Sequence, residues 1–368
     1  MFGSSEQITV SEVETKLALL RGLIERRGLR GLALGGAAEV AWLTGGITNR
    51  IEPGNPSSPV WLVVTPTSAA AVTTNVELPR VEAEAGLGTL GFELHAAPWY
   101  EPDCLARAAR ELGGESPELG DELIALRLAL LPPERERLET LAGDAAAALE
   151  QALLAWKPGE TDFDVQARVA EGLERTGAFG ACLIVGGDER VERFRHPLAA
   201  GKPIARLVMA VVVAERGGLH AAATRFACAG PLPERVRSAQ AAARAIESAV
   251  HAACVVGATY GEVLAALDRA YADAGHASAW RDHYQGGPIG YRQREFELVP
   301  TQRESRWFST TLEEGHALAW NPSVRGAGKA EDTYLLEPAG LRRLTATSEW
   351  PLTEDRPAIL DITTGKAA

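Results

Sequence analysis

Apolar residues recur at helical spacing across Val10–Arg27, at Val13, Leu17, Leu19, Leu20, Leu23 and Ile24, and the pattern predicts an opening amphipathic helix. Short apolar runs follow at Gly31-Leu32-Ala33-Leu34, Val60–Val64 and Ala70–Val72. Gly and Pro clusters such as Glu52-Pro53-Gly54-Asn55-Pro56 separate them, which is the signature of strands punctuated by turns. Leu131-Pro132-Pro133 then interrupts the chain, and Glu134 begins a long helical pattern that runs through Leu153. Strands mixed with helices therefore predict an α/β domain over residues 1–128, with a second domain over 129–368.

The second half has a different texture. Two helices are expected at about Pro133–Trp156 and Asp162–Arg175, a strand at Cys182–Gly186, and a strand pair at Arg206–Ala214 and Leu219–Ala229. Helices at about Glu234–Ala253 and Tyr260–Ala274 follow. Gly-rich loops then alternate with short strands at Ala317–Asn321, Thr333–Leu336 and Leu341–Leu344. Strands with helices covering one side fit an α+β sheet with a covered back.

Composition narrows the function classes. A chain of 368 residues has room for about two domains. A net charge of −12 with no basic run excludes a nucleic-acid partner, which requires a basic surface. Met1 to Val10 lacks the apolar core of a signal peptide. The longest apolar run, Leu207–Ala214, is too short to span a bilayer. A cytoplasmic protein that does not enter membranes is expected. Cys104, Cys182, Cys228 and Cys254 form no Cys-x-x-Cys pair, so they are expected as small buried hydrophobes, with neither zinc nor a disulfide.

Three stretches carry the candidate chemistry: Gly218-Leu219-His220-Ala221-Ala222-Ala223-Thr224-Arg225, Gln285-Gly286-Gly287-Pro288-Ile289-Gly290, and Ala330-Glu331-Asp332-Thr333-Tyr334-Leu335-Leu336 followed by Gly340 and Leu344-Thr345. In that order they resemble the motifs of the pita-bread metallopeptidase family, which comprises methionine aminopeptidase, aminopeptidase P, prolidase and their metal-free relative creatinase. The resemblance implies an N-terminal creatinase-type α/β domain and a C-terminal pita-bread domain, together an α+β protein. It also implies a homodimer in which one subunit's N-terminal domain borders the other's active site. Trp42, Trp61, Trp99, Tyr100 and Trp307 are the apolar candidates for such contacts.

The family's peptidases hold two metal ions with two Asp, one His and two Glu. The second Asp stands just before a Thr-Arg pair, and the matching position here is Ala222. The first lies eleven positions earlier, at Val211. The His position falls on Gly287, and the penultimate Glu on Asn321, in Trp320-Asn321-Pro322. Only the last Glu has a match, Glu331. Methyl groups and a bare backbone cannot ligate a cation, so no metal and no other cofactor is expected.

Other features survive. Arg195-His196-Pro197-Leu198 matches the stretch where the family keeps a His beside the substrate, and the family's substrate-touching His falls at Arg294. In creatinase the corresponding His is the proposed general acid or base, so the resemblance makes His196 and Glu331 the candidate catalytic pair. An imidazole near its ordinary pKa can shuttle a proton at neutral pH. The parallel is incomplete: creatinase has a Glu at the position of Thr224, and it uses an Arg from the N-terminal domain for which Arg50 is only a loose candidate. His220 shares a strand face with Ala222, and His283 precedes the glycines. With Arg225, Arg294 and Asn321, these are the candidate groups for a carboxylate-bearing ligand. Each has an alternative: an exposed loop for His196, a satisfied strand histidine for His220, and structural bonds from Glu331-Asp332-Thr333 to backbone and to Arg225.

Three functions remain open. One is a metal-independent, creatinase-like hydrolase of a small C–N or amide substrate. The second is an inactive pseudo-peptidase that binds a peptide or a small carboxylate. The third is a true Xaa-Pro dipeptidase with an unusual site. A small molecule or a dipeptide is the expected partner in each.

Overall fold

The computed structural model describes residues 10–48 and 50–368. Most of the segment read as lacking a signal peptide therefore lies outside the described residues. By its contacts the chain divides into two compact units, one of residues 1–127, 131–137 and 216–219, the other of 128–130, 138–215 and 220–368.

In the first unit the amphipathic pattern becomes the helix Val10–Arg27. A four-stranded sheet runs in the order Leu32–Gly36, Ser57–Val64, Ala69–Thr74, Glu93–Ala97. The first two pairings are antiparallel and the last is parallel. Val63, Ala70, Val72, Ala97 and Ala109 form a core cluster on this sheet. Lys16 is wholly buried on the opening helix. Its ammonium lies 2.6 Å from Glu12, 2.7 Å from Glu134 and 2.7 Å from the Trp42 carbonyl, and these partners offset the cost of taking the charge out of water.

The second unit has two larger sheets and two two-stranded ones, the latter pairing Ser323–Val324 with Gly328–Lys329 and Leu352–Thr353 with Arg356–Pro357. Of the larger sheets, one places the strands Phe179–Gly187, Leu207–Arg216 and Leu219–Cys228 side by side, and Leu360–Asp361 adds in parallel to the last of them. The other joins Gly286–Pro288, Ala317–Trp320, Tyr334–Glu337 and Gly340–Arg343. Four helices accompany them: Pro132–Leu154, Asp162–Glu174, Glu234–Ala253 and Tyr260–Asp273. Two of these begin with reciprocal capping boxes. Thr161 and Asp164 satisfy each other's backbone N–H groups, as do Thr259 and Glu262, and this fixes where each helix starts.

Two expectations for the aromatic residues are corrected. Trp42 and Trp307 are core residues, 2 % and 5 % exposed, and so are not surface contacts. Trp61 is half-buried against the first sheet. Trp99 and Tyr100 are the exposed pair, and they meet edge to face.

Candidate functional site

The strand Leu219–Cys228 and the segment Glu331-Asp332-Thr333 are stitched together. The Thr224 N–H donates to the Glu331 carbonyl at 2.9 Å, and Thr333 Oγ1 bonds both the N–H and the C=O of Ala222. Because side chains alternate along extended chain, this pairing separates two sets of contacts. On one face Thr224 Oγ1 donates to Glu331 Oε2 at 2.7 Å. On the other Arg225 reaches Asp332 at 2.8 Å and Glu150 at 2.9 Å. Arg225 also donates to the Thr224 and Thr345 carbonyls. All three of its nitrogens are thereby engaged, and it is 1 % exposed. Arg225 is a cation held between two carboxylates.

Glu331 is 4 % exposed, and both of its oxygens are taken. Oε1 accepts from Asn321 Nδ2 at 3.1 Å. Oε2 accepts from Thr224 and lies 3.4 Å from Lys329 Nζ. Burial pushes the carboxyl pKa up. The Lys329 ammonium, the two hydrogen bonds and the Arg294 charge outweigh it, and the net shift is downward. Lys329 is 6 % exposed and was missed as a site residue by sequence reasoning. The signal was available: a Lys two positions before a Glu in extended chain shares its face.

His196, on which the charges of Lys329 and Glu331 act, stands in a loop fixed at several points. Asp188 accepts from the N–H groups of Ala205, Arg206 and Leu207, and Asp162 from those of Ala200 and Lys202. The loop lies close against the strand Phe179–Gly187. A Cβ on Gly186 would stand 2.6 Å from Pro197 Cβ, so only glycine admits the His196-Pro197 turn there. The His196 ring is exposed, 5.0 Å from the ring of His283 and stacked at 6.4 Å on Tyr284. Burial and then Lys329 push its pKa below the ordinary value, partly opposed by Glu331. It is therefore neutral at pH 7. No hydrogen bond joins it to Glu331.

The other predicted residues divide. His283 belongs to the group. Burial, Lys329, His196 and Arg195 drive its pKa down to about 2, and Nε2 has no hydrogen-bond partner. Gln285 holds the His283 loop by accepting from Tyr271 and donating to the Trp280 and His283 carbonyls. Arg294 is partly exposed, 3.9 Å from Glu297, with Nη1 unbonded. Arg195 donates to Ser323. His220 Nδ1 lies 3.2 Å from the Gly290 carbonyl. Arg50 is exposed in the first unit.

The residues present do not fit a dinuclear metal centre. Val211 packs in an apolar cluster with Ile184, Met209 and Phe226, and Ala222 offers only a methyl group. Gly287 sits at φ +140°, a backbone conformation that a ligating histidine would adopt only under strain. Asn321 and Glu331 already bond each other, and an ammonium sits beside the carboxylate. Among the described residues, no group of three or more His, Cys, Asp or Glu is placed to hold a metal ion. On the Glu247 side of Glu331, a partly open space of about 20 Å³ lined by Thr224, Arg225, Lys329 and Arg356 has room for a single water.

Comparison with known proteins agrees with this architecture. The chain is similar to the prolidase of Pyrococcus horikoshii OT3, with 18% identity and a TM-score of 0.71 over 91% of this chain and 99% of that one. It is similar to the dipeptidase PepE of Mycobacterium ulcerans, with 21% identity and a TM-score of 0.71 over 93% and 97%. The N-terminal domain of the FACT complex subunit SPT16 from chickpea, Cicer arietinum, also shares the fold, with 10% identity and a TM-score of 0.69 over 98% and 100%. At these identities the likeness shows the fold, an α+β protein with a pita-bread domain. No curated protein sequence matches, and among the described residues no helix is long and apolar enough to cross a membrane. Residues 136–338, more than half of the chain, match metallopeptidase family M24, and the chain belongs to that family.

Proposed function

We propose that this chain is an Xaa-Pro peptidase homologue that works without a dinuclear metal centre, as a hydrolase of a small C–N or amide substrate. The observation that carries the reading is the neutral, exposed imidazole of His196 beside a group whose metal donors are replaced by Val211, Ala222 and Gly287. In this reading water adds to the carbon of the C–N bond. His196 takes the water's proton and returns it to the departing nitrogen. Glu331, saturated by Thr224, Asn321 and Lys329, acts by holding those groups in place, and moves no proton. His283 and Tyr284 flank the imidazole and limit its rotation. We place the protein in the cytoplasm as a homodimer, with the exposed pair Trp99 and Tyr100 as candidate contacts.

The test is elemental analysis after loading with Mn, Co and Zn ions, with hydrolysis assays on Xaa-Pro dipeptides and a panel of small amides. We expect no stoichiometric metal, and turnover of an amide that is lost in His196→Ala. Two metals per chain with dipeptide hydrolysis would overturn the reading.

A second reading, a binding protein without turnover, is favoured by the saturation of Glu331, which leaves one titratable group where acid–base catalysis commonly uses two. The fold's occurrence in a FACT complex subunit is compatible with it. Ligand binding with no turnover of any panel member would select it.

A further inference from the structure

Tyr271 is wholly buried on the helix Tyr260–Asp273, and its hydroxyl is bonded on two sides. It donates to Gln285 Oε1 at 2.8 Å and accepts from the Ser323 N–H at 2.9 Å. Gln285 is also buried, and its amide nitrogen donates to the carbonyls of Trp280 and His283. Both ends of that amide are engaged, which fixes its orientation. Ser323 Oγ accepts from Arg195 Nη1 at 3.0 Å, and Arg195 immediately precedes His196. Ser323 also stands directly across a two-stranded ladder from Lys329.

One hydroxyl therefore sits at the junction of three segments. Through Gln285 it reaches His283, through Ser323 and Arg195 the His196 turn, and through the ladder Lys329. These segments carry groups that face the His196 imidazole. Its ring is 5.0 Å from that of His283 and stacks on Tyr284, while the charges of Lys329 and Glu331 act on it. Ser323 and Gln285 are 3 % and 0 % exposed, and buried polar groups hold one geometry because another would leave a donor or acceptor unpaired. The ladder itself is pressed on the helix Glu234–Ala253, where a Cβ on Gly328 would stand 2.3 Å from the Ala239 carbonyl. A further connection, from Asp282 to Arg325 at 3.3 Å and to Arg195 at 4.0 Å, is more exposed and contributes less.

We propose that Tyr271 is a positioning residue of this site, whose hydroxyl, acting through Gln285 and Ser323, holds His196, His283 and Lys329 in one arrangement. Substitution frees the imidazole from its neighbours without removing any group that faces it. The inference rests on the reading that His196 is the reactive group, and it names what keeps that imidazole in place.

The test is an NMR titration of the His196 and His283 rings in the full chain, with the ring-to-ring contact followed by nuclear Overhauser effects. It needs no substrate, so a failure to find turnover leaves it intact. Tyr271→Phe should weaken the ring-to-ring contact and raise the His196 pKa toward its ordinary value of about 6.5, because burial and Lys329 now hold it below that. Ser323→Ala, a smaller change, breaks only the Arg195 link, so it should move the His196 signals and leave those of His283 in place. Tyr260→Phe is the control for lost stability: Tyr260 is equally buried on the same helix, and its hydroxyl lies 3.3 Å from His316 Nδ1. It should leave both rings unchanged. Unchanged His196 and His283 signals in Tyr271→Phe, or equal changes in Tyr260→Phe, overturn the proposal. If Tyr271→Phe does not fold, Ser323→Ala decides, and unmoved His196 signals there overturn it.

Discussion

Lys329 Nζ lies 3.4 Å from Oε2 of Glu331, with both side chains almost fully buried. One residue separates them, so extended chain brings them to the same face. Removing one partner of a buried ion pair leaves the other charged and unpaired. Glu331→Ala should therefore cost about 3–5 kcal/mol of stability in urea unfolding. Glu331→Gln, which retains an acceptor for Thr224 and Asn321, should cost less. A loss under about 1 kcal/mol for the alanine variant would show that water reaches the pair.

The Glu150–Arg225–Asp332 group is a second buried network, on the opposite face of the same stitched strands. Arg225→Met removes the cation that bridges two carboxylates, and a loss of about 3–5 kcal/mol is expected in thermal or urea unfolding. Arg225→Lys should recover little of it, because a single ammonium cannot span Glu150, Asp332 and the Thr345 carbonyl as the guanidinium does. Full recovery by lysine would mean that charge alone matters there.

The sign of the interaction at His196 gives a third prediction. Its pKa lies below the ordinary value because of burial and then the Lys329 ammonium, with Glu331 pulling the other way. Lys329→Met removes that repulsion, so the pKa should rise. An NMR titration of the ring in the variant should show the increase. An unchanged value would place the ammonium away from the imidazole.

His316 gives a pH prediction for stability. Burial alone lowers its pKa from the ordinary 6.5 to about 4, while the ring lies against Tyr260. The unfolded chain thus binds the proton more readily than the folded one. The contribution is complete above about pH 6.5 and is lost as pH falls through the folded value, to a total of roughly 3 kcal/mol. Urea midpoints measured from about pH 7 down to about pH 4 should fall more steeply for the native chain than for His316→Gln. Parallel curves would remove His316 from the acid response.

Much of the fold was legible because its signals are local. The helix at Glu234–Ala253 and the opening helix match their apolar periodicity, and the strand pair Leu207–Arg216 and Leu219–Cys228 matches its apolar runs. Loss of metal donors at Val211, Ala222 and Gly287 could also be read from residue type, because no folding turns a methyl group into a ligand. Tertiary structure alone decided where the charges go. Thr224-Arg225 and Glu331-Asp332 are far apart in sequence, and only their pairing shows that Arg225 faces away from the site while Thr224 faces Glu331. Trp42 and Trp307 could be placed inside only by the elements packed around them. Lys329 is one more charged residue in the sequence. It becomes the cation of the site because the fold buries it with Glu331, where water no longer screens the pair.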